Sequence, residues 1–250
     1  MEARDVVNAM ARWLHVFGGV LWIGFMMYFV IIMKPMMPTL DPTVRAGLMT
    51  ALTPRMTKWM RGIVGVTVLT GLMLLGIVYH SGGLMFETGT TWSASSIILV
   101  VLAFAMFGPY DLVARSGAGR NGWILGSVAL LVIMGMQYAM TDIAGMTYRA
   151  AMIHLGVMFA MILAANGFMR MIPAQRRMLE AMTAGKAPDP ADVEQAQIRA
   201  EHNAYLALPV VWTMLNQHTV VPGASSSLWF LGILTFSTLV VSWTLRQTSK

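Results

Sequence analysis

Apolar residues run along this chain in blocks of about 20, too long and too uniform for the single stripe that a soluble helix turns toward its core. The first block reads "RWLHVFGGVLWIGFMMYFVIIM" at residues 12–33, with a histidine and two neighbouring glycines inside it. Similar blocks fall near 59–80, 95–114, 122–141, 147–172, 203–221 and 226–246, and the first extends to 9–33. Each is long enough for a helix to cross the hydrocarbon of a bilayer. The pattern predicts an all-α integral membrane protein, a bundle of seven transmembrane helices forming one membrane domain. Its sixth span is the shortest and carries Pro209, which a membrane helix tolerates when neighbours satisfy the freed carbonyl.

Composition agrees with this reading. The 250 residues are 57% hydrophobic and 11% charged, against about 25% charged in soluble domains. The first block is too long for a signal peptide and lacks a small-residue cleavage site, so it is expected to remain as a span. There are no cysteines, which excludes disulfides, zinc–thiolate sites, iron–sulfur clusters and thioether-linked haem. The 25 methionines are scattered through every span, as flexible apolar filler would be.

The formal charge of +6 acquires meaning once loops are placed on alternate sides. Of the 17 Lys and Arg residues, all but Arg4, Arg12 and Arg149 fall on one side. Because cationic loops stay cytoplasmic, the N-terminus is expected outside and the C-terminus inside. Basic residues at span ends, without aromatic interleaving, speak for a lipid bilayer as the partner and against nucleic acid. The cytoplasmic segment 173–202 reads as a helix closed near Gly185, followed by a second with Asp189 as N-cap and Pro190 in the first helical position.

The histidines carry the candidate chemistry. On these spans His15 lies about six residues, roughly 9 Å, inside the outer end of span one, and His154 lies at a matching depth in span five. An ionisable side chain at such depth is costly and marks a functional site. Two imidazoles at one level suit haem b, whose flat apolar macrocycle packs between helices. Gly19 and Trp22 follow His15 at i+4 and i+7, offering a flat gap and an aromatic wall, with Gly18 at i+3. Arg12 and Arg149 sit above His15 and His154, placed for haem propionates or an anionic substrate. His80 and His218 lie near the outer interface and are candidate bases, their unperturbed pKa being near neutrality. His202 belongs to the inner face with Asn203, Asn166 and Arg170.

Several stretches together, "GPYDLVARSGAGRN", "YRAAMIHLGVMFAMILAANGFMRMIPAQRRM", "AGKAPDP" and "EHNAYLALPVVWTMLNQH", resemble the membrane-embedded N-terminal domain of the bacterial urate hydroxylase family. "RWLHVFGGVLWIGFMMYF" and "RGIVGVTVLTGLMLLGIVYHSGG" fit its first two spans. The first span is also more distantly similar to haem-binding membrane families related to copper-resistance and protoporphyrinogen-oxidising proteins, which implies haem ligation by His15. The resemblance implies a bacterial inner-membrane location and oxidation of urate to 5-hydroxyisourate, with electrons leaving through a C-terminal c-type cytochrome. This sequence has no cysteine and ends soon after span seven, so a separate cytochrome, or a respiratory or photosynthetic complex, is the expected electron partner. The alternative is a non-catalytic subunit of such a complex. A transporter would show polar mid-span residues and broken helices in matching halves, and only Pro109 and Pro209 offer breaks.

Overall fold

The computed structural model describes residues 3–216 and 227–248. Among these the chain is helical, with an isolated bridge between Phe86 and Met146. In chain order the helices are α1 (Ala3–Thr39), α2 (Pro42–His80), α3 (Ala94–Ala105), α4 (Phe107–Arg115), α5 (Gly117–Arg120), α6 (Gly122–Ile143), α7 (Tyr148–Thr183), α8 (Pro190–Asn216) and α9 (Ser227–Thr248).

Helices α1, α2, α6 and α7 are each long and apolar enough to cross a membrane. The pair α3 and α4 would make a fifth crossing, bent by 45°. Pro109 lies just beyond that bend and has no N–H to return to the preceding turn, which accounts for the break. Large apolar side chains such as Trp13, Phe17, Val20, Leu131 and Trp243 are exposed, as a lipid-facing surface requires. The all-helical, membrane-type architecture expected from the sequence is thus present. The last two apolar blocks come out differently from the others. Of the block at 203–221, the described residues 203–216 are the second half of α8, which runs unbroken from Pro190 through Pro209. The block at 226–246 gives a shorter apolar stretch, Leu231–Thr244, within α9.

The chain divides into two compact units, one of Met1–Leu74, Ala164–Tyr205 and Val240–Lys250, the other of Leu75–Leu163 and Leu206–Leu239. In the first, α1 buries a stripe of Ala11, Gly18, Trp22 and Met26 at helical spacing. Against it α2 buries Ile63, Val64, Thr67 and Thr70. Gly18 is required here, because any Cβ would run into the Thr67 hydroxyl. The charged segment folds as its sequence indicates. Gly185 takes φ of +68° just past α7, and the Asp189 carboxylate accepts from the Ala191 N–H at 2.9 Å where α8 begins.

In the second unit the α7 residues Ala150, Ala151, Met152, His154, Leu155 and Met158 are almost wholly buried. Gly156 lets α7 approach α8 closely, since a Cβ there would stand 2.7 Å from Thr213 Oγ1. The connection after α2 is tied to the one before α7. Thr147 donates its N–H to Met85 O at 3.0 Å, and Glu87 donates its N–H to Gly145 O at 3.1 Å.

Candidate histidine site

In the second unit α2 ends in a π-turn, Leu75–His80, closed by the Ser81 N–H donating to Gly76 O at 2.9 Å. Such a turn holds one extra residue and so re-aims the side chains at its end, which is why π-turns gather at functional sites. Here it directs His80 onto His154. The two Nε2 atoms are 3.3 Å apart. On its other side His80 meets the edge of Trp92, with centroids 5.5 Å apart and planes at 80°, and Trp92 meets Phe86 in the same way at 5.1 Å. Those aromatics belong to the tied connection, so the fold of the loop brings Trp92 to His80.

His154 is completely buried. Its Nδ1 lies 2.7 Å from the Ala150 carbonyl one turn earlier on α7. A carbonyl only accepts, so Nδ1 carries the proton and Nε2 of the neutral ring presents a lone pair. That lone pair points at His80, whose Nε2–H is the donor. Ala150 and Ala151 leave this turn without bulk.

His15 belongs to the first unit and shows the same hydrogen-bonding posture. Its Nδ1 donates to the Thr67 carbonyl at 2.8 Å, leaving Nε2 as the lone-pair nitrogen. The ring rests on Gly71, where a Cβ would stand 2.8 Å from His15 Cε1. Thr67 and Gly71 are positioning residues that the sequence pattern did not single out. Their i, i+4 spacing in "TVLTG" is the signal that a one-sided contact surface lay there.

The other candidate residues are more scattered. Trp22 is buried in the first unit. Gly19 faces open space, with nothing within 4 Å of a Cβ built on it. Arg12 is exposed and donates to Asn8 Oδ1 at 3.1 Å, and Arg149 is exposed on α7. His218 lies outside the described residues. In the polar cluster expected of Asn203 and Asn166, Asn166 donates to Asn203 Oδ1 at 2.8 Å. Asn166 also accepts from a cation, Arg199, only 2% exposed, which donates to its Oδ1 at 3.1 Å. Arg170 meets this region through its backbone carbonyl, which accepts from Gln195 Nε2. Lys34 pairs with Glu201 in the same unit.

The model of the urate oxidase N-terminal family matches residues 43–248. The chain belongs to that family. The matched stretch holds His80, His154 and Arg149, and begins after His15. No curated protein and no solved structure matches the chain.

Haem, which the sequence called for, can be tested against these side chains. An imidazole that ligates a metal donates its other N–H to a carbonyl or carboxylate, which fixes the tautomer and the ring orientation. Both His15 and His154 meet that requirement, so the donor set fits. Among the described residues no group of three or more His, Cys, Asp or Glu side chains gathers in a way that would hold a bare metal ion.

Proposed function

We propose that this chain is the membrane module of a urate-hydroxylase-like oxidoreductase, a seven-span bundle with its N-terminus outside that binds haem b through imidazoles and passes electrons to a separate cytochrome. Family membership supports the urate-type chemistry. The observation that carries the haem reading is the ring posture of His154 and His15, each with Nδ1–H on a carbonyl and Nε2 left as the acceptor. Haem supplies one-electron transfer when bound, and histidine is a standard axial ligand for it.

The protein's own contributions are positional. Ala150 and Thr67 orient the two imidazoles through their carbonyls. Arg149, exposed on α7 near the start of the helix, offers a guanidinium to propionates or to a planar anionic substrate such as urate. Arg12 offers the same in the first unit, where Asn8 holds its Nε. The family and the apolar helices support placement in a bacterial inner membrane.

The test is a reduced-minus-oxidised optical spectrum with a pyridine haemochrome assay on the detergent-purified protein, for wild type, His15→Ala and His154→Ala. A b-type spectrum in wild type that His154→Ala removes supports the reading. A wild type that stays colourless after reconstitution with haemin overturns it and leaves a non-catalytic membrane subunit as the better account.

A further inference from the structure

We propose that the lipid-facing side of α2 ends in a binding site for an anionic phospholipid, its headgroup held by Arg55 and Lys58 beside Trp59. The site lies wholly in the first unit and needs no haem.

The residues that form it share one face of the helix. Arg55, Trp59, Gly62, Val66, Leu69 and Met73 follow at alternating steps of four and three, the spacing that keeps side chains on one side. Lys58 lies three residues after Arg55 and four before Gly62, so it joins the same face. All seven are exposed, and Trp59 is 69% exposed. Ile63, Val64, Thr67 and Thr70, which are buried, occupy the side turned toward α1.

The order along this face is that of a phospholipid. Gly62 to Met73 covers 11 residues, roughly 16 Å of helix, close to the half-thickness of about 15 Å of the hydrocarbon core. That stretch presents apolar side chains to an acyl chain. Trp59 follows at the boundary, where an indole is favoured. Arg55 lies four residues, roughly 6 Å, farther out, within the headgroup layer of about 5–7 Å. Gly62 has nothing within 4 Å of a Cβ built on it, which leaves a notch one turn from the indole for the glycerol backbone.

Charge selects the headgroup. Between Asp41 and Glu87 the sequence has no Asp or Glu. Lys34, Arg115, Arg176 and Arg177 each meet a carboxylate, whereas Arg55 and Lys58 have none among the described residues. Arg55 donates one N–H to the Ala51 carbonyl at 2.6 Å, which draws its side chain away from the hydrocarbon and leaves the rest of its fork for phosphate oxygens. A zwitterionic lipid would add an ammonium group, which two cations without a carboxylate repel. An anionic lipid adds only negative charge.

The test uses the full chain in phosphatidylcholine vesicles that contain a small fraction of phosphatidylglycerol brominated on its acyl chains. Tryptophan quenching is compared with that from equally brominated phosphatidylcholine. Wild type should show excess quenching by the anionic lipid, and Trp59→Phe, which removes the reporter, should remove that excess. Arg55→Gln and Lys58→Gln should each lower the relative affinity about fivefold. Arg45→Gln, an equal charge change ten residues nearer the start of α2, should leave it unchanged. Gly62→Leu fills the notch without altering charge and should weaken binding too. No excess in wild type, or an excess that survives in Trp59→Phe, overturns the site. An equal loss in Arg45→Gln also overturns it, because the attraction is then spread over the whole cationic end of the helix.

Discussion

His15 and His154 share one posture at Nδ1 and differ in what stands beyond it. His154 is sealed inside the second unit and its free nitrogen already faces another imidazole. His15 is half-exposed, rests on a glycine of α2, and its Nε2 has no hydrogen-bond partner among the described residues. The backbone carbonyl that orients each ring also comes from a different range. Ala150 is one turn away on the same helix, whereas Thr67 is 52 residues away on another. One site is therefore built into a single helix and completed by its partner; the other exists only while two helices stay in register. A histidine with two ring contacts, fully desolvated, is the stronger candidate for a cofactor ligand. A histidine at a helix–helix seam also serves packing.

Replacing the two imidazoles puts this contrast under the greatest strain. His154→Ala should remove bound haem and also leave a void in a region with no exposed atoms, at a cost of roughly 2–5 kcal/mol by analogy with other large-to-small core changes. His15→Ala should cost clearly less, because part of the vacated space is already open. Haem content together with thermal unfolding in detergent reads both, and equal losses of stability in the two variants would show that the contrast in burial does not govern them.

A pair of glycine substitutions bears on the seam around His15. Gly71→Ala puts a methyl against the His15 ring and should cost about 1–3 kcal/mol through overpacking. Gly65→Ala, on the same helix with nothing within 4 Å, should be neutral or stabilising by up to about 1 kcal/mol. If the thermal midpoints of the two variants coincide, His15 is not held by Gly71.

Trp92→Ala addresses the other site more gently. Losing an edge-to-face contact of this kind costs about 1 kcal/mol, and the tied loop should stay in place through its backbone bonds to residues 145 and 147. The expected result is a small fall in midpoint with a broadened histidine resonance for His80; an unchanged His80 environment would remove Trp92 from the site.

The smallest effect belongs to the surface of the first unit. Arg177 donates from Nε to both oxygens of Asp192, at 3.1 and 3.0 Å, and holds that carboxyl below its ordinary value. A lowered folded-state pKa means the pair stabilises fully above the ordinary carboxylate range, and the contribution is lost as pH falls through the lowered value. Arg177 stands half in solvent, so the change should be slight. Asp192→Asn should abolish whatever acid dependence this pair contributes to the midpoint as pH falls below about 4, flattening the profile relative to wild type.

Much of the candidate chemistry was legible in the order of the residues. His15 and His154 stand out because an ionisable group inside an apolar block is too costly to be kept there without a role. Helix starts and stops in the charged segment were equally plain, since Asp189–Pro190 and Gly185 have conformational preferences that neighbours do not override. The glycines of the first span were less transparent. Gly18 makes room for Thr67, and Gly19 faces open space, a division that depends on which way α1 is turned.

The sequence by itself determined that this is a helical membrane protein, because a bilayer offers the backbone no hydrogen-bond partners and only long apolar helices answer that demand locally. It also determined which side chains were chemically exceptional. What the tertiary structure alone decided was their pairing. His80 reaches His154 through a π-turn that shifts the register of α2 by a fraction of a turn, and Arg199 on α8 reaches Asn166, 33 residues earlier on α7. Such meetings depend on how each helix is rotated about its axis, and that rotation is set by close packing against the neighbouring helix, which no single stretch of sequence contains.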